Sequence, residues 1–144
     1  MQTNIVGVMR TVAAYLPVLK GRPSSTILAT SSALAFVPRA SFPAYCASKA
    51  FLHSWLQSVR HQLRSVPVEV LELSPPYVQT ELSGPHQRSD PRAMPLATYV
   101  AQVMALLERG EHPRGEVLLE RDLPRRFAER DDRYEDVFEE MNPR

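Results

Sequence analysis

Two short aliphatic segments flank one long helical segment, and this order constrains the fold more than any other feature of the sequence. The runs TILATSS (26–32) and VEVLELS (68–74) are rich in β-branched and aliphatic residues, as strands buried on both faces are. Between them, residues 43–66 repeat apolar side chains at steps of three and four, which predicts a helix. Because two strands joined by a helix run parallel through a right-handed crossover, the sequence predicts an α/β fold.

The flanking segments continue the same alternation. Residues 4–20 carry an apolar stripe, which predicts a helix that Pro17 kinks or ends early. Residues 96–108 predict a third helix with Gly110 as its cap, and the run GEVLLE predicts a third short strand. The predicted fold class is a partial, doubly wound parallel sheet of about three strands with flanking helices.

Two segments lack a strong helix or strand pattern. Residues 83–95 contain three prolines and no hydrophobic period, which indicates a loop and a candidate mobile lid. Residues 121–144 are dense in charge with a sparse apolar set, and we interpret them as a charged tail that forms a solvated helix or is partly ordered. The predicted domain division is 1–120 for the α/β unit and 121–144 for the tail.

Size, charge and cysteine content exclude several function classes. With 144 residues the chain has the length of one domain, and its formal net charge of +1 favours neither nucleic acid nor an anionic membrane. The single cysteine, Cys46, excludes an internal disulfide and fits a reducing compartment, so the predicted location is cytoplasmic. The apolar N-terminal stretch contains Arg10 and lacks a signal-peptide cleavage site, and the sequence has no run of about eighteen apolar residues.

The stretch AYCASKA places Tyr45 and Lys49 one helical turn apart. Lys49 is one of only two lysines among seventeen basic residues, so its identity calls for a chemical explanation. A phenol ionises near pH ~10, and a neighbouring ammonium lowers that pKa, which makes tyrosine a usable general acid or base. Ser31 and Ser32 end the first predicted strand, where open α/β sheets bind their ligands. We therefore expect Ser32, Tyr45 and Lys49 to converge on one site.

These motifs together resemble the C-terminal half of a short-chain dehydrogenase/reductase. The family pattern is a serine, a Tyr-x-x-x-Lys thirteen residues later, and a Pro-Gly stretch followed by threonine after the next strand. The resemblance implies that Ser32 orients the substrate, that Tyr45 donates or accepts the proton, and that Lys49 binds the nicotinamide ribose and lowers the pKa of the phenol. Asn4 matches the asparagine that anchors a water of the proton relay. The match runs from about residue 4 to residue 120.

The resemblance also implies a cofactor and its contacts. The cofactor is NAD or NADP, with NADP slightly favoured, and the substrate is a small carbonyl or alcohol compound. Besides Tyr45 and Lys49, the implied cofactor-binding residues lie in SPPYVQTEL: Pro75, Val78 and Thr80. Pro76 stands where the family has glycine, which is similar to a bacterial branch of the family called DltE-like.

One family feature is absent from the sequence. None of the five glycines forms the glycine-rich turn that receives dinucleotide phosphates. We therefore expect that the N-terminal cofactor half is not encoded here, through a gene-start error, a fragment or a true truncation, and that cofactor binding is weakened or lost. The strand at 26–32 would then be an exposed edge, and we expect a homodimer or other oligomer through the two long helices, with Phe51 and Trp55 as candidate contacts.

Other functions have weaker support. The alternative function is a truncated, non-catalytic remnant that acts as a dimerisation or partner module. The histidines lack metal-site spacing, so no metal is predicted and all four are interpreted as surface residues. Ser32 and Lys49 lack the Ser-x-x-Lys and Gly-x-Ser-x-Gly patterns of hydrolases, and Cys46 is interpreted as a packing residue. The sequence does not identify the substrate.

Overall fold

A three-stranded parallel sheet with helices on both faces forms the centre of the molecule. The computed structural model describes residues 1–112 and 114–143. The strands are β1 (Ser25–Thr30), β2 (Val68–Leu73) and β3 (Glu116–Val117), in the order β1-β2-β3 and all parallel. This confirms the predicted α/β fold class, although the third strand is only two residues long.

Within the described residues, five α-helices accompany the sheet. They are α1 (Val8–Lys20), α2 (Pro43–Gln62), α3 (Leu96–Arg109), α4 (Leu123–Arg126) and α5 (Tyr134–Met141). A π-helical segment, Gln2–Gly7, precedes α1, and Gly110 ends α3 in the left-handed conformation as predicted. The prediction that Pro17 ends the first helix early is wrong, because α1 continues to Lys20. Ala13, whose carbonyl would bond the amide that proline lacks, is exposed to solvent.

The sheet packs on two separate apolar clusters. On one face, Ile27, Ala29, Val68 and Val70 pack against Leu56, Val59 and Leu63, and the apolar stripe of α1 lies over this cluster. On the other face, Leu71 and Val117 pack against Val103 of α3. Alternation along each strand separates the two sets, since neighbouring side chains point to opposite faces. Burial of a leucine such as Leu56 stabilises the fold by about 1.5–3 kcal/mol.

The C-terminal segment is packed rather than solvated. Ala128 and Val137 are 1% and 6% exposed, and they pack on the fully buried Val37 in the segment that follows β1. The interpretation of residues 121–144 as a solvated tail is therefore wrong for the described part, because its sparse apolar side chains share one buried cluster. The predicted domain boundary after residue 120 stays a prediction.

β1 lies at one edge of the sheet in the part of the chain that the structure describes. Leu28 of β1 is 45% exposed, whereas Leu71, its partner in the parallel register, is 4% exposed. Helix α3 therefore covers β2 but leaves β1 open on that face. No helix within residues 1–112 or 114–143 combines the length and apolar character needed to cross a membrane.

Candidate active site

Ser32 lies just beyond β1, where the parallel ladder holds the backbone on both sides of it. The amide of Ser31 donates to the carbonyl of Leu73 at 2.8 Å, and the amide of Ala33 donates to the carbonyl of Pro75 at 3.0 Å. Ser32 Oγ accepts the amide of Leu34 at 3.1 Å, which caps a short 3₁₀ turn. Because that bond uses an acceptor position, the hydroxyl proton of Ser32 is available to donate.

Tyr45 and Lys49 lie in the first two turns of α2, which begins at Pro43. Proline suits this first helical position because the amide it lacks would have no partner within the helix. Lys49 is 9% exposed, and its Nζ lies 5.6 Å from the centroid of the Tyr45 ring. The same Nζ donates to the carbonyl of Thr30 at 2.9 Å, so the ammonium ties α2 to the end of β1.

Burial, rather than the ammonium, dominates the acidity of Tyr45. Burial raises the pKa of the Tyr45 phenol above its ordinary value, and a hydrogen bond with Ser32 is the contribution that lowers it. Burial also lowers the pKa of Lys49. The expectation that Lys49 lowers the phenol's pKa is therefore not met in this structure, in which Nζ donates to Thr30 instead. Ser32 fills that role, and the phenol is protonated at neutral pH.

Asn4 is joined to the same helix by a chain of two hydrogen bonds. It lies in the π-helical segment Gln2–Gly7, and its Nδ2 donates to Ser48 Oγ at 3.0 Å. Ser48 Oγ in turn donates to the carbonyl of Tyr45 at 2.7 Å. π-Helical turns often occur at functional sites, and here the turn brings an amide side chain to Ser48, the residue before Lys49 in α2. The structure therefore brings Asn4, Ser32, Tyr45 and Lys49 into one connected group.

The implied cofactor residues after β2 form a second, adjoining group. Pro75 joins the first group through its bond with Ala33, while Val78 and Thr80 are held by Gln87. Gln87 Nε2 donates to the Val78 carbonyl at 2.6 Å and to Thr80 Oγ1 at 3.0 Å. Thr80 Oγ1 also accepts the amide of Leu82 at 3.3 Å. With two donors on its oxygen, the Thr80 hydroxyl can only donate to a further partner, such as a phosphate or carbonyl oxygen.

The loop 83–95 contains one short helical turn and one bridge. The 3₁₀ turn spans Pro85–Ser89, and Met94 pairs with Val78 as an isolated bridge. Gln87 is 4% exposed and anchors the turn from inside. The prediction of a loop is confirmed, and its role as a mobile lid stays a prediction.

A buried carboxylate next to this site was not predicted from the sequence. Glu72 of β2 is fully buried, accepts Ser31 Oγ on one oxygen, and lies 2.7 Å from His53 Nδ1 through the other. The interpretation of His53 as a surface residue is therefore wrong, since its side chain is 16% exposed and paired. The signal in the sequence was a glutamate in the row Val68, Val70, Glu72, whose first two members face the core.

Other chemistries receive no support from the described residues. Cys46 is 2% exposed, and its Sγ accepts the amide of Arg39 at 3.4 Å, which fits the predicted packing role. Within residues 1–112 and 114–143, no three His, Cys, Asp or Glu side chains are grouped as metal ligands.

The sequence of the chain is similar to known oxidoreductases. The family model described as short chain dehydrogenase matches residues 1–91. The uncharacterized oxidoreductase DltE of Bacillus subtilis (strain 168) is 37% identical over 145 residues, which cover 99% of this chain and 56% of that protein. An uncharacterized oxidoreductase of Myxococcus xanthus (strain DK1622) is 36% identical over 84 residues, which cover 58% of this chain and 33% of that protein.

Solved structures show the same similarity. A short chain dehydrogenase from Burkholderia cenocepacia J2315 in complex with NADP matches with a TM-score of 0.80 and 25% identity, over 100% of this chain and 59% of that chain. A short-chain dehydrogenase from Streptomyces avermitilis shares the fold, with a TM-score of 0.71 at 20% identity over 94% of this chain and 57% of that chain. The chain thus spans a little over half the length of DltE and of each solved chain.

Proposed function

Because the chain belongs to the short-chain dehydrogenase family, we propose that it works as an NAD(P)-dependent oxidoreductase in which Tyr45 is the general acid or base. Bound nicotinamide would supply or accept the hydride, and a carbonyl or alcohol carbon would be its partner. The observation that carries the proposal is the convergence of Ser32, Tyr45 and Lys49 at the end of β1.

The protonation state of Tyr45 supports carbonyl reduction as the favoured direction. Burial raises the pKa of the phenol, so at neutral pH Tyr45 holds the proton that a reduced carbonyl oxygen requires. The single hydroxyl proton of Ser32, which hydrogen-bonds Tyr45 in the free chain, would turn to the same carbonyl oxygen when substrate binds. Alcohol oxidation needs the phenolate, and its rate should rise with pH toward the raised pKa. Reduction should stay constant through neutral pH and fall only above that pKa.

The donors of the site fit the nicotinamide end of a dinucleotide. Lys49 Nζ uses one of its three protons on Thr30, which leaves two for ribose hydroxyl groups. The Thr80 hydroxyl has a proton to donate to a phosphate or carboxamide oxygen. The sequence shows no glycine-rich turn for the adenosine side, so the proposed fit covers the nicotinamide end of the cofactor. NADP is favoured over NAD by the NADP complex of the Burkholderia cenocepacia protein.

The substrate class, the oligomeric state and the cellular location are further parts of the proposal. We propose a small carbonyl or alcohol substrate and a homodimer or other oligomer through the two long helices, to which Phe51 of α2, 38% exposed, contributes. Trp55, the other predicted contact, is partly buried against the apolar cluster beneath α2 and is the weaker candidate. The free, buried Cys46 is consistent with a reducing, cytoplasmic location.

A comparison of the wild-type chain with Tyr45→Phe tests the proposal. NADPH oxidation is followed with a panel of aldehydes and ketones, and NADPH binding is measured separately by fluorescence. We expect NADPH to bind with a dissociation constant below about millimolar and Tyr45→Phe to reduce turnover by roughly 10²–10⁴-fold without a change in affinity. Absence of binding and turnover would instead support a non-catalytic partner module.

A further inference from the structure

Glu72 is a charged side chain that the proposed chemistry does not use, and it is fully buried. Its Oε1 accepts Ser31 Oγ and also lies 3.4 Å from Ser74 Oγ, while its Oε2 lies 2.7 Å from His53 Nδ1. Burial of a carboxylate is costly unless hydrogen bonds satisfy it. Here both carboxylate oxygens of Glu72 accept hydrogen bonds, so the buried charge has the partners that it needs.

The hydrogen-bond pattern assigns the proton of His53. The amide nitrogen of Gln57 lies 2.8 Å from His53 Nε2, and an amide NH₂ group can only donate. His53 Nε2 is therefore the acceptor, and Nδ1 carries the hydrogen that is donated to Glu72. Arg126 of α4 is a charged group that also acts on this carboxylate: its hydrogen bond with Glu116 is the main cause that raises the pKa of Arg126, and the charge of Glu72 adds to it.

The partners of Glu72 lie on the two elements that carry the active site. Ser31 directly precedes Ser32, and His53 lies one turn beyond Lys49 on α2. Three consecutive residues at the end of β1 are thus linked to α2. Thr30 accepts Lys49, Ser31 reaches His53 through Glu72, and Ser32 is the neighbour whose hydroxyl lowers the pKa of Tyr45.

The three residues reached on α2, namely 45, 49 and 53, are spaced by four and therefore lie along one side of the helix. We propose that Glu72 is a positioning residue that sets the spacing between Ser32 and Tyr45 by holding Ser31 and His53 together. This role rests on the proposed functions of Ser32 and Tyr45. Glu72 touches neither the substrate nor the cofactor in this account, and it acts through the two elements it joins.

The test measures the hydrogen bond between Ser32 and Tyr45 without any cofactor. Difluorotyrosine, which ionises at lower pH than tyrosine, is placed at position 45, and its pKa is read from the fluorine NMR signal. Glu72→Gln keeps the size of the side chain but replaces two carboxylate oxygens by one amide oxygen and one NH₂ group, so the charge-assisted hydrogen bonds to Ser31 and His53 become weaker, neutral ones. Glu69→Gln on the same strand is the matched control, because Glu69 is exposed and bonds only Thr26 among the described side chains.

We expect Glu72→Gln to raise the pKa of residue 45, because a weaker Ser32 bond stabilises the phenolate less. Removal of the negative charge of Glu72 would by itself stabilise the phenolate and lower that pKa. A positioning role therefore predicts a rise in the pKa, and a purely electrostatic role predicts a fall. Glu69→Gln should leave it unchanged. A fall, or no change, in Glu72→Gln would overturn the proposal.

A second pair of variants tests whether the effect passes through Ser32. In a Ser32→Ala background, Glu72→Gln should produce no further rise, whereas a persistent rise would show that Glu72 acts by another route. If Glu72→Gln does not fold, His53→Gln is titrated instead. This variant should also raise the pKa of residue 45, and an unchanged value would contradict the proposal. The oxidoreductase assay with Tyr45→Phe fails or succeeds independently of these titrations.

Discussion

At the scale of single residues, the two neighbours of Tyr45 act differently: the Ser32 hydroxyl lowers the pKa of the phenol, whereas Lys49 Nζ donates to the carbonyl of Thr30. The spacing of Ser32, Tyr45 and Lys49 predicts their convergence, since strand ends and one helical turn have fixed geometry. The choice of Thr30 as the partner of Lys49 depends on a rotamer and on a backbone carbonyl that no spacing specifies. For the same reason the sequence did not reveal the pairing of Glu72 with His53.

The first prediction compares the two neighbours of Tyr45. Ser32→Ala should raise the pKa of the phenol, because the hydrogen bond that lowers it is lost. Lys49→Met should change it less, because Nζ is directed at Thr30. Titration of tyrosine at position 45 by NMR, with circular dichroism to confirm the fold, checks the order of the two effects. If Lys49→Met raised the pKa of Tyr45 more than Ser32→Ala did, the Lys49 ammonium would be the main influence on that pKa.

The second prediction concerns Asp122, which is fully buried. Its Oδ1 accepts Arg125 at 3.2 Å, but its Oδ2 has no partner within the described residues. Burial raises its pKa, so the folded chain binds the proton more tightly than the unfolded chain, and the free energy of unfolding falls as pH rises through the raised pKa. Asp122→Asn should therefore melt at a higher temperature than wild type at pH 7.

Thermal melts at several pH values check this sign. The difference between Asp122→Asn and wild type should shrink as pH falls and the wild-type carboxyl group becomes protonated. A variant that is less stable than wild type at pH 7 would show that the ion pair with Arg125 outweighs the cost of burial.

At the scale of elements, hydrophobic periodicity predicted the helices and strands. It did not predict the π-helical turn before α1 or the packing of α5. The stripe on α2 was predicted correctly, and Leu52, Leu56, Val59 and Leu63 are all buried. The π-helical turn that carries Asn4 was not predicted, because an apolar stripe does not distinguish π from α geometry. The packing of α5 was missed because its few apolar residues contact the distant Val37.

The third prediction uses two glycines with the same backbone conformation. Gly115 and Gly110 have φ of 65° and 67°, but a Cβ at Gly115 would overlap the Arg60 guanidinium, whereas a Cβ at Gly110 would meet nothing within 4 Å. That guanidinium donates to the carbonyls of Val70 and Gly115, which joins β2 to the start of β3. Gly110→Ala should cost about 1–2 kcal/mol, and Gly115→Ala about 1–3 kcal/mol more.

Urea unfolding of both variants measures the difference. Equal free energies of unfolding would show that Arg60 moves aside without loss and does not join the two strands. A larger cost at Gly115 would show that the guanidinium supports the short β3.

At the scale of the whole molecule, the most consequential feature is the unpaired edge of β1 among the described residues. In the described chain β1 pairs only with β2, and Leu28 is exposed beside it. An exposed apolar edge strand favours pairing with another chain. The fourth prediction is therefore that the chain self-associates at micromolar concentration and that Leu28→Lys reduces the association. Sedimentation velocity checks it, with Leu82→Lys, in the loop after β2, as the matched control. A monomeric wild type would contradict it.

The central claim is that Lys49, held beside Tyr45, binds the nicotinamide ribose, and its most direct test is the binding of reduced nicotinamide mononucleotide. This probe lacks the adenosine half, so it requires only the part of the site for which the chain has donors. NMR titration should show saturable binding with a dissociation constant of about millimolar, accompanied by shifts at Tyr45. Lys49→Met should abolish binding, whereas Ser32→Ala should retain it. Absence of saturable binding, or binding that survives Lys49→Met unchanged, would contradict the account.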